Sequence, residues 1–366
     1  MKKVSRLEDH NERCLFIGPR FFGYEVDIAN AIRKLGIAVD YVDERPRNSS
    51  LVRAAARINP RLIRNMVKKY YSRQLERVGQ RSYSHVFVLK GELVSTSFLQ
   101  ELRNRNRNAK FIFYTFDSIS NSSNFLEIRH LFDRMFSFDY IDCESDAGLE
   151  ILPLFYTDQF FGRGEREPEK TEVAFVGTLH SGRYAAIESL FGQFSAVMTY
   201  YYCPAIWFYL ISRFITREYA GIPLGDVSFQ KLSRDGVAAI FRDSRAVIDI
   251  QRKGQSGLTM RTFEVLASGS ALVTTNIHIT RLPKALRDRA LYVEDLSDVN
   301  SANNVRRFLE SIDKFPLDRD AMSDFSVEAW ARRLFGRGMA SHIVSPTAVD
   351  SIPLDPLPVP PKMAIE

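Results

Sequence analysis

The stretch from Gly257 to Asn276, GLTMRTFEVLASGSALVTTN, spaces its polar residues in a way that chemistry can use. On a helix Arg261, Glu264 and Ser268 form a stripe apart from the apolar face of Met260, Phe263 and Ala267. A guanidinium there suits a phosphate, and a carboxylate suits sugar hydroxyls. An ion pair between Arg261 and Glu264 on a solvated helix face is the alternative. Ahead of the helix, Gln251 to Gly257 form a loop off an apolar strand. Ser256, Gly257, Leu258 and Thr259 therefore stand at a helix N-terminus, where unpaired amides attract a diphosphate. Ser268 and Gly269 stop the helix, and Ala271 to Thr275 reads as a buried strand.

Three further stretches carry candidate chemistry. In FVGTLHSGRY, Gly177 lets a ligand approach the backbone, Thr178 offers a hydroxyl and Arg183 opens the next helix facing a diphosphate. In GPRFFGYE, Gly18, Arg20 and Gly23 stand between a strand and a helix whose N-terminus would accept an anion, or else form a strand-to-helix turn needing glycine. This loop is neither the dinucleotide fingerprint nor a Walker A loop. If the reaction needs a general base, Asp117 in YTFDSISN is the first candidate and Glu92 in LKGELVS the second. Lys90 would contact phosphate or hold the acidic partner, and Asp117 could simply cap a helix.

Those loops need elements to position them, and the chain supplies alternating apolar runs and amphipathic segments. CLFIG, YEVDIANAIRKLG and AVDYVD read as strand, helix, strand, continuing through HVFVLK, KFIFYTFD and RMFSFD. The scheme restarts at VAFVG and runs through AVMTYYY, AVIDI, ALVTT and ALYVED. Two doubly wound parallel sheets follow, with ligands at the carboxyl ends of the strands. The boundaries read as an N-terminal Rossmann-like domain over 1–160, a charged linker over 161–172, a second Rossmann-like domain over 173–345 and a proline-rich tail over 346–366. The last helix is free to cross back onto the first domain.

Composition narrows the classes. With 366 residues, 45% hydrophobic and 26% charged, the chain suits a two-domain globular enzyme. Cys14, Cys143 and Cys203 are too scattered for a disulfide framework, which fits a reducing cytoplasm. The N-terminal apolar run is too short for an export signal. The net charge of +6 favours anionic partners without a nucleic-acid recognition motif. Residues 45–81 concentrate arginine and lysine among Leu62, Met66, Tyr70 and Tyr71, a basic amphipathic helix suited to peripheral contact with anionic lipid or to a solvated face. The segment from Ala205 to Tyr219 reads as a buried crossover helix, with dipping of Trp207 and Phe208 into a bilayer surface as the alternative. Asp318 to Asp320 read as solvated surface, so no metal motif is expected.

FIGPRFFGYEVDIANAIRKLG, FYTFDSISN, RMFSFDYID, LPLFY, FVGTLHSGR and above all GLTMRTFEVLASGSALVTT lie in this order across residues 14–295. In that arrangement the chain resembles bacterial group 1 glycosyltransferases of GT-B architecture, in particular a polysaccharide-related branch that includes spore-coat maturation glycosyltransferases. The resemblance implies two facing Rossmann-like domains and a nucleotide-sugar donor. It also implies a glycan or lipid-linked acceptor and a metal-independent hexosyl transfer without a cofactor. It makes Glu264 the ribose contact and Ser256 to Thr259 the diphosphate region. Ser256 stands where many retaining relatives carry a second glutamate, so the stereochemical outcome stays open. A non-catalytic nucleotide-sugar-binding scaffold and a basic nucleic-acid-binding protein are the rival readings.

Overall fold

The computed structural model describes residues 12–45, 64–121, 124–162, 170–252 and 254–337. The proline-rich tail, the middle of the basic segment and most of the linker fall outside the described residues. The first half is built from β1 (Arg13–Gly18), α1 (Tyr24–Lys34), β2 (Ala38–Asp43), α2 (Arg64–Val78), β3 (His85–Leu89) and α3 (Thr96–Arg105), then β4 (Lys110–Thr115), α4 (Phe125–Ile128), β5 (Arg134–Ser137), α5 (Tyr140–Ser145) and β6 (Glu150–Ile151). Its six strands pair in parallel in the order β2-β1-β3-β4-β5-β6. Cys14 to Ile17 and Val86 to Leu89 are buried throughout, because helices cover both faces of a parallel sheet and leave no polar side.

The second half repeats the plan with β7 (Thr171–Thr178), α6 (Ser181–Phe191), β8 (Val197–Tyr202), α7 (Ile206–Phe214), β9 (Val227–Ser228) and α8 (Arg234–Arg242). It continues with β10 (Ser244–Asp249), α9 (Met260–Ala267), β11 (Ala271–Thr274), α10 (Lys284–Arg287) and β12 (Ala290–Tyr292). Strand order is β12-β11-β10-β7-β8-β9, again parallel. Sequence periodicity passes over β9 and α8. The first is two residues long, and the second announces itself only by Ser233, whose hydroxyl accepts from the Gly236 amide as N-cap. Helix α9 ends as Ser-Gly dictates, with Gly269 in the left-handed region at φ +88° and its amide bonded to the Leu266 carbonyl.

After β12 the chain forms α11 (Ser301–Ser311), α12 (Arg319–Ser323) and α13 (Val327–Leu334). Helix α13 packs against α1 of the first half. Its Trp330 is buried among Tyr114, Phe155 and Phe87, with ring centroids 4.9, 5.0 and 6.1 Å away. The two sheets thus share one apolar core.

Two peripheral segments decide other readings. Helix α2 carries Lys68, Lys69, Arg73 and Arg77 on its exposed side and buries Tyr71 and Val78. Helix α7, read above as a buried crossover, is instead exposed. It sinks only Tyr209 and Ser212 into the domain, with Trp207 63% and Phe214 69% accessible. Among the described residues, no helix is long and apolar enough to cross a membrane. No group of His, Cys, Asp or Glu is clustered to hold a metal ion there either. Asp318 caps α12 by accepting from the Ala321 amide.

Candidate functional site

A cavity of about 480 Å³ lies between the two sheets at the carboxyl ends of their strands. Its second-domain wall brings together Gly177, Thr178 and Arg183 from the end of β7 and start of α6, with Thr259, Arg261 and Glu264 from α9. Asp249, the last residue of β10, and Arg252 join them. Arg261 pairs with Asp249 at 3.6 Å, and the Thr259 hydroxyl donates to the same carboxylate at 2.9 Å. Arg183 donates to the Ile250 carbonyl at 3.2 Å. Burial pulls its pKa below the ordinary arginine value; Asp249 opposes that shift, while nearby Arg261 and Arg252 add to it. Arg183, Arg252 and Arg261 outnumber Asp249 and Glu264 on this wall and leave it net positive, the setting a diphosphate would neutralise.

Glu264 is buried and does not pair with Arg261. Its Oε1 accepts from the Tyr24 hydroxyl of the first domain at 2.5 Å. Burial pushes the Glu264 carboxyl up to about 7, with the Tyr24 hydrogen bond, Arg261 and Arg234 restraining the rise. Arg234 reinforces the crossing: it pairs with Asp27 at 2.5 Å, donates to the Thr157 hydroxyl at 2.6 Å and lies over the Tyr24 ring. Tyr24 and Arg234 escaped sequence reasoning because their roles exist only across the domain boundary. The signal for Asp249 and Arg252, a polar pair at a strand end, was in view.

Ser256, Gly257 and Leu258, expected at the diphosphate, do not line this cavity. Asp139, just after β5, takes the Ser256 amide at 2.8 Å, the Gly257 amide at 3.3 Å and the Ser256 hydroxyl. The same carboxylate caps α5 through the amides of Ile141 and Asp142. A Cβ on Gly257 would stand 2.4 Å from the Phe138 ring and 2.7 Å from the Phe138 carbonyl, so only glycine allows this approach. Leu258 is buried in the shared core. The Ser256 and Gly257 amides thus form a seam holding the domains together, one and two residues ahead of the Leu258 and Thr259 amides expected to face an anion.

The first-domain candidates also lie off the cavity. Gly18 is a packing position, where a Cβ would meet Leu89 at 3.0 Å and the carbonyl accepts from the Tyr41 hydroxyl. Arg20 is exposed and pairs with Asp43 at 3.5 Å. Gly23 supplies the left-handed N-cap of α1 at φ +86°. The anion expected at that helix is opposed by Glu25 and Asp27 in its first turn, and the Phe21 amide is satisfied by Glu25 at 3.0 Å. Lys90 lies 2.9 Å from Glu92 and 3.1 Å from Asp117, while Arg45 lies 3.2 Å from Glu92. Lys90 therefore holds both acidic candidates. Asp117 reaches the cleft through Gln255, whose amide donates to it at 3.5 Å. Beneath them Glu44 is fully buried, and burial, seconded by Glu92, pushes its carboxyl up to about 8.

No family model and no curated protein matches this chain. Solved structures do. A UDP-forming α,α-trehalose-phosphate synthase from Burkholderia xenovorans, in complex with glucose-6-phosphate, superposes over 89% of this chain and 99% of its own at TM-score 0.58 and 13% identity. A glycosyltransferase involved in avilamycin A biosynthesis covers 89% and 96% at TM-score 0.55 and 12% identity. A lipopolysaccharide outer core galactosyltransferase covers 88% and 98% at TM-score 0.51 and 12% identity. The chain thus has the GT-B fold of these glycosyltransferases, two α/β domains each built on a six-stranded parallel sheet. At such identities the likeness is one of fold.

Proposed function

We propose that this protein is a glycosyltransferase that takes a hexosyl group from a nucleoside-diphosphate sugar. The observation that carries the reading is the convergence of Arg183, Arg252 and Arg261 beside a buried Glu264 in one interdomain cavity. The donor's diphosphate would sit among the guanidiniums, and its ribose hydroxyls would replace Tyr24 as donors to Glu264. Cations facing the departing diphosphate stabilise the charge that develops there, so the chemistry asks for no metal of its own. On this reading the reaction belongs to polysaccharide assembly, with a glycan or lipid-linked acceptor, which the sequence resemblance supports. Glu25, on the first-domain wall of the same cavity, is the carboxylate positioned to take the acceptor proton if the reaction inverts.

Calorimetric titration with uridine and guanosine diphosphate tests the reading, uridine first because a fold neighbour is UDP-forming. Binding by the parent and its loss in Arg261→Ala are expected. Absence of binding by either nucleotide sinks it. The scaffold alternative draws support from the ion-paired state of Asp117 and Glu92, and it predicts nucleotide binding without transfer or hydrolysis of the bound sugar.

A further inference from the structure

Helix α7 is fastened to the second domain by its polar edge. The Tyr209 hydroxyl donates to the Ile222 carbonyl at 2.7 Å, Arg213 donates to that hydroxyl at 2.5 Å and to the same carbonyl, and the Tyr219 amide donates to the Ser212 carbonyl at 3.0 Å. Tyr209 and Ser212 are buried, and the Tyr209 ring packs against Tyr219 and Phe229. The apolar side faces outward. Ile206, Trp207, Leu210, Ile211, Phe214 and Ile215 are all exposed, Ile215 to 75%. At about 100° per residue these six spread over about half the helix circumference with no polar side chain among them. A helix that packs within a protein does the reverse and turns its apolar stripe to the core. So many large apolar side chains gathered on one outer face mark an interaction surface.

Shape, position and charge indicate what covers it. One packed neighbour covers a stripe about 100° wide, so a rigid protein surface, a second copy included, would leave much of this arc wet. Acyl chains are fluid and close around it. The helix joins β8 to β9, and β9 is the last strand of its sheet, so α7 lies at an edge of the domain that a plane can reach. No acidic residue lies on α7, and Arg217 stands exposed in the turn after it. Glu218, the sole acid between Ala205 and Tyr219, lies 3.6 Å from His180. Trp207, an apolar body with one N–H donor, is a side chain that settles at the headgroup level of a bilayer.

We infer that α7 is a membrane-docking helix, lying in the surface of an anionic phospholipid bilayer with Trp207, Leu210, Phe214 and Ile215 among the acyl chains and Arg217 at the phosphates. This concerns the outer face of the second domain and holds whatever the cavity binds.

Trp207 is the reporter, since the other tryptophan of the chain, Trp330, is buried in the core away from lipid. Vesicles of equimolar phosphatidylglycerol and brominated phosphatidylcholine should quench the fluorescence of the full chain saturably. Trp207→Phe should still float with the same vesicles, with the quenching gone. Phe214→Glu combined with Ile215→Glu, both at exposed positions, should weaken vesicle binding at least about tenfold while circular dichroism and Tm stay those of the parent. Lys68→Glu combined with Lys69→Glu, on the basic face of α2, should leave the protein bound. Absence of quenching, or binding that survives the α7 pair, overturns the inference, as does binding lost with the α2 pair alone. A parent that sediments as a dimer without lipid, with the α7 variant a monomer, overturns it too and assigns the face to a second copy.

Discussion

The two walls of the cleft are built on the same plan, and they differ in what their strand ends carry. On the second-domain side Asp249, Arg252 and, a turn into α9, Arg261 lie in the cavity, and their charges do not cancel. On the first-domain side the corresponding positions after β2, β3 and β4 are Glu44, Arg45, Lys90, Glu92 and Asp117, and they are knotted to one another away from the cavity. The same topology can therefore present charge or withdraw it. What remains on the first-domain side is aromatic and aliphatic apart from Glu25 and the Tyr24 hydroxyl. The difference teaches that in a doubly wound fold the strand ends mark where a ligand goes, while side-chain pairing decides its chemistry.

The widest test concerns whether the two walls are held as a pair at all. Asp139→Ala removes the buried carboxylate that caps α5 and takes the Ser256 and Gly257 amides, leaving those donors unpaired. It should cost about 4 kcal/mol of stability in urea unfolding, and a loss under 1 kcal/mol would mean the seam does not hold the cleft. The withdrawn charges can be probed by pH. Glu44 has a folded pKa of about 8 against the ordinary glutamate value of 4.5, so the folded state keeps a proton that the unfolded chain releases. Stability then falls as pH rises from about 4.5 to 8, and at pH 7 the loss is on the order of 3 kcal/mol. Glu44→Gln should flatten that slope and raise stability at neutral pH; an unchanged slope breaks the contrast on that side.

On the charged wall, Arg261→Ala should weaken nucleoside diphosphate binding about 30-fold, the worth of one or two charge-assisted hydrogen bonds. Calorimetric titration reads it, and equal affinity in parent and variant would remove the wall's assigned role. Glu264 should make that affinity depend on pH. With a pKa of about 7 it is protonated below neutrality, so binding through ribose hydroxyls weakens as pH falls from 8 to 6. Because the terminal phosphate titrates near 6, the decisive comparison is with Glu264→Gln, whose profile should lack the upper component. The smallest expected effect is that of Tyr24→Phe. Losing the hydroxyl that holds the carboxylate down shifts the Glu264 transition to higher pH and moves nucleotide affinity only a few-fold, whereas an unshifted transition would separate Tyr24 from the site.

Much of this molecule could be read from the chain alone. Runs such as CLFIG and KFIFYT are apolar at every position because a parallel sheet is covered on both faces, and the Ser-Gly stop of α9 requires a left-handed residue that glycine supplies freely. These are local or one-dimensional constraints, and they gave two doubly wound domains and the Arg261 and Glu264 stripe. The fate of a polar side chain is set by what another part of the chain brings within hydrogen-bonding distance. Ser256 belongs to Asp139 at a separation of 117 residues, and Glu264 to Tyr24 at 240. Spacing along the sequence does not encode those encounters, so only the tertiary structure decided which amides hold the domains together and which guanidiniums face the cavity.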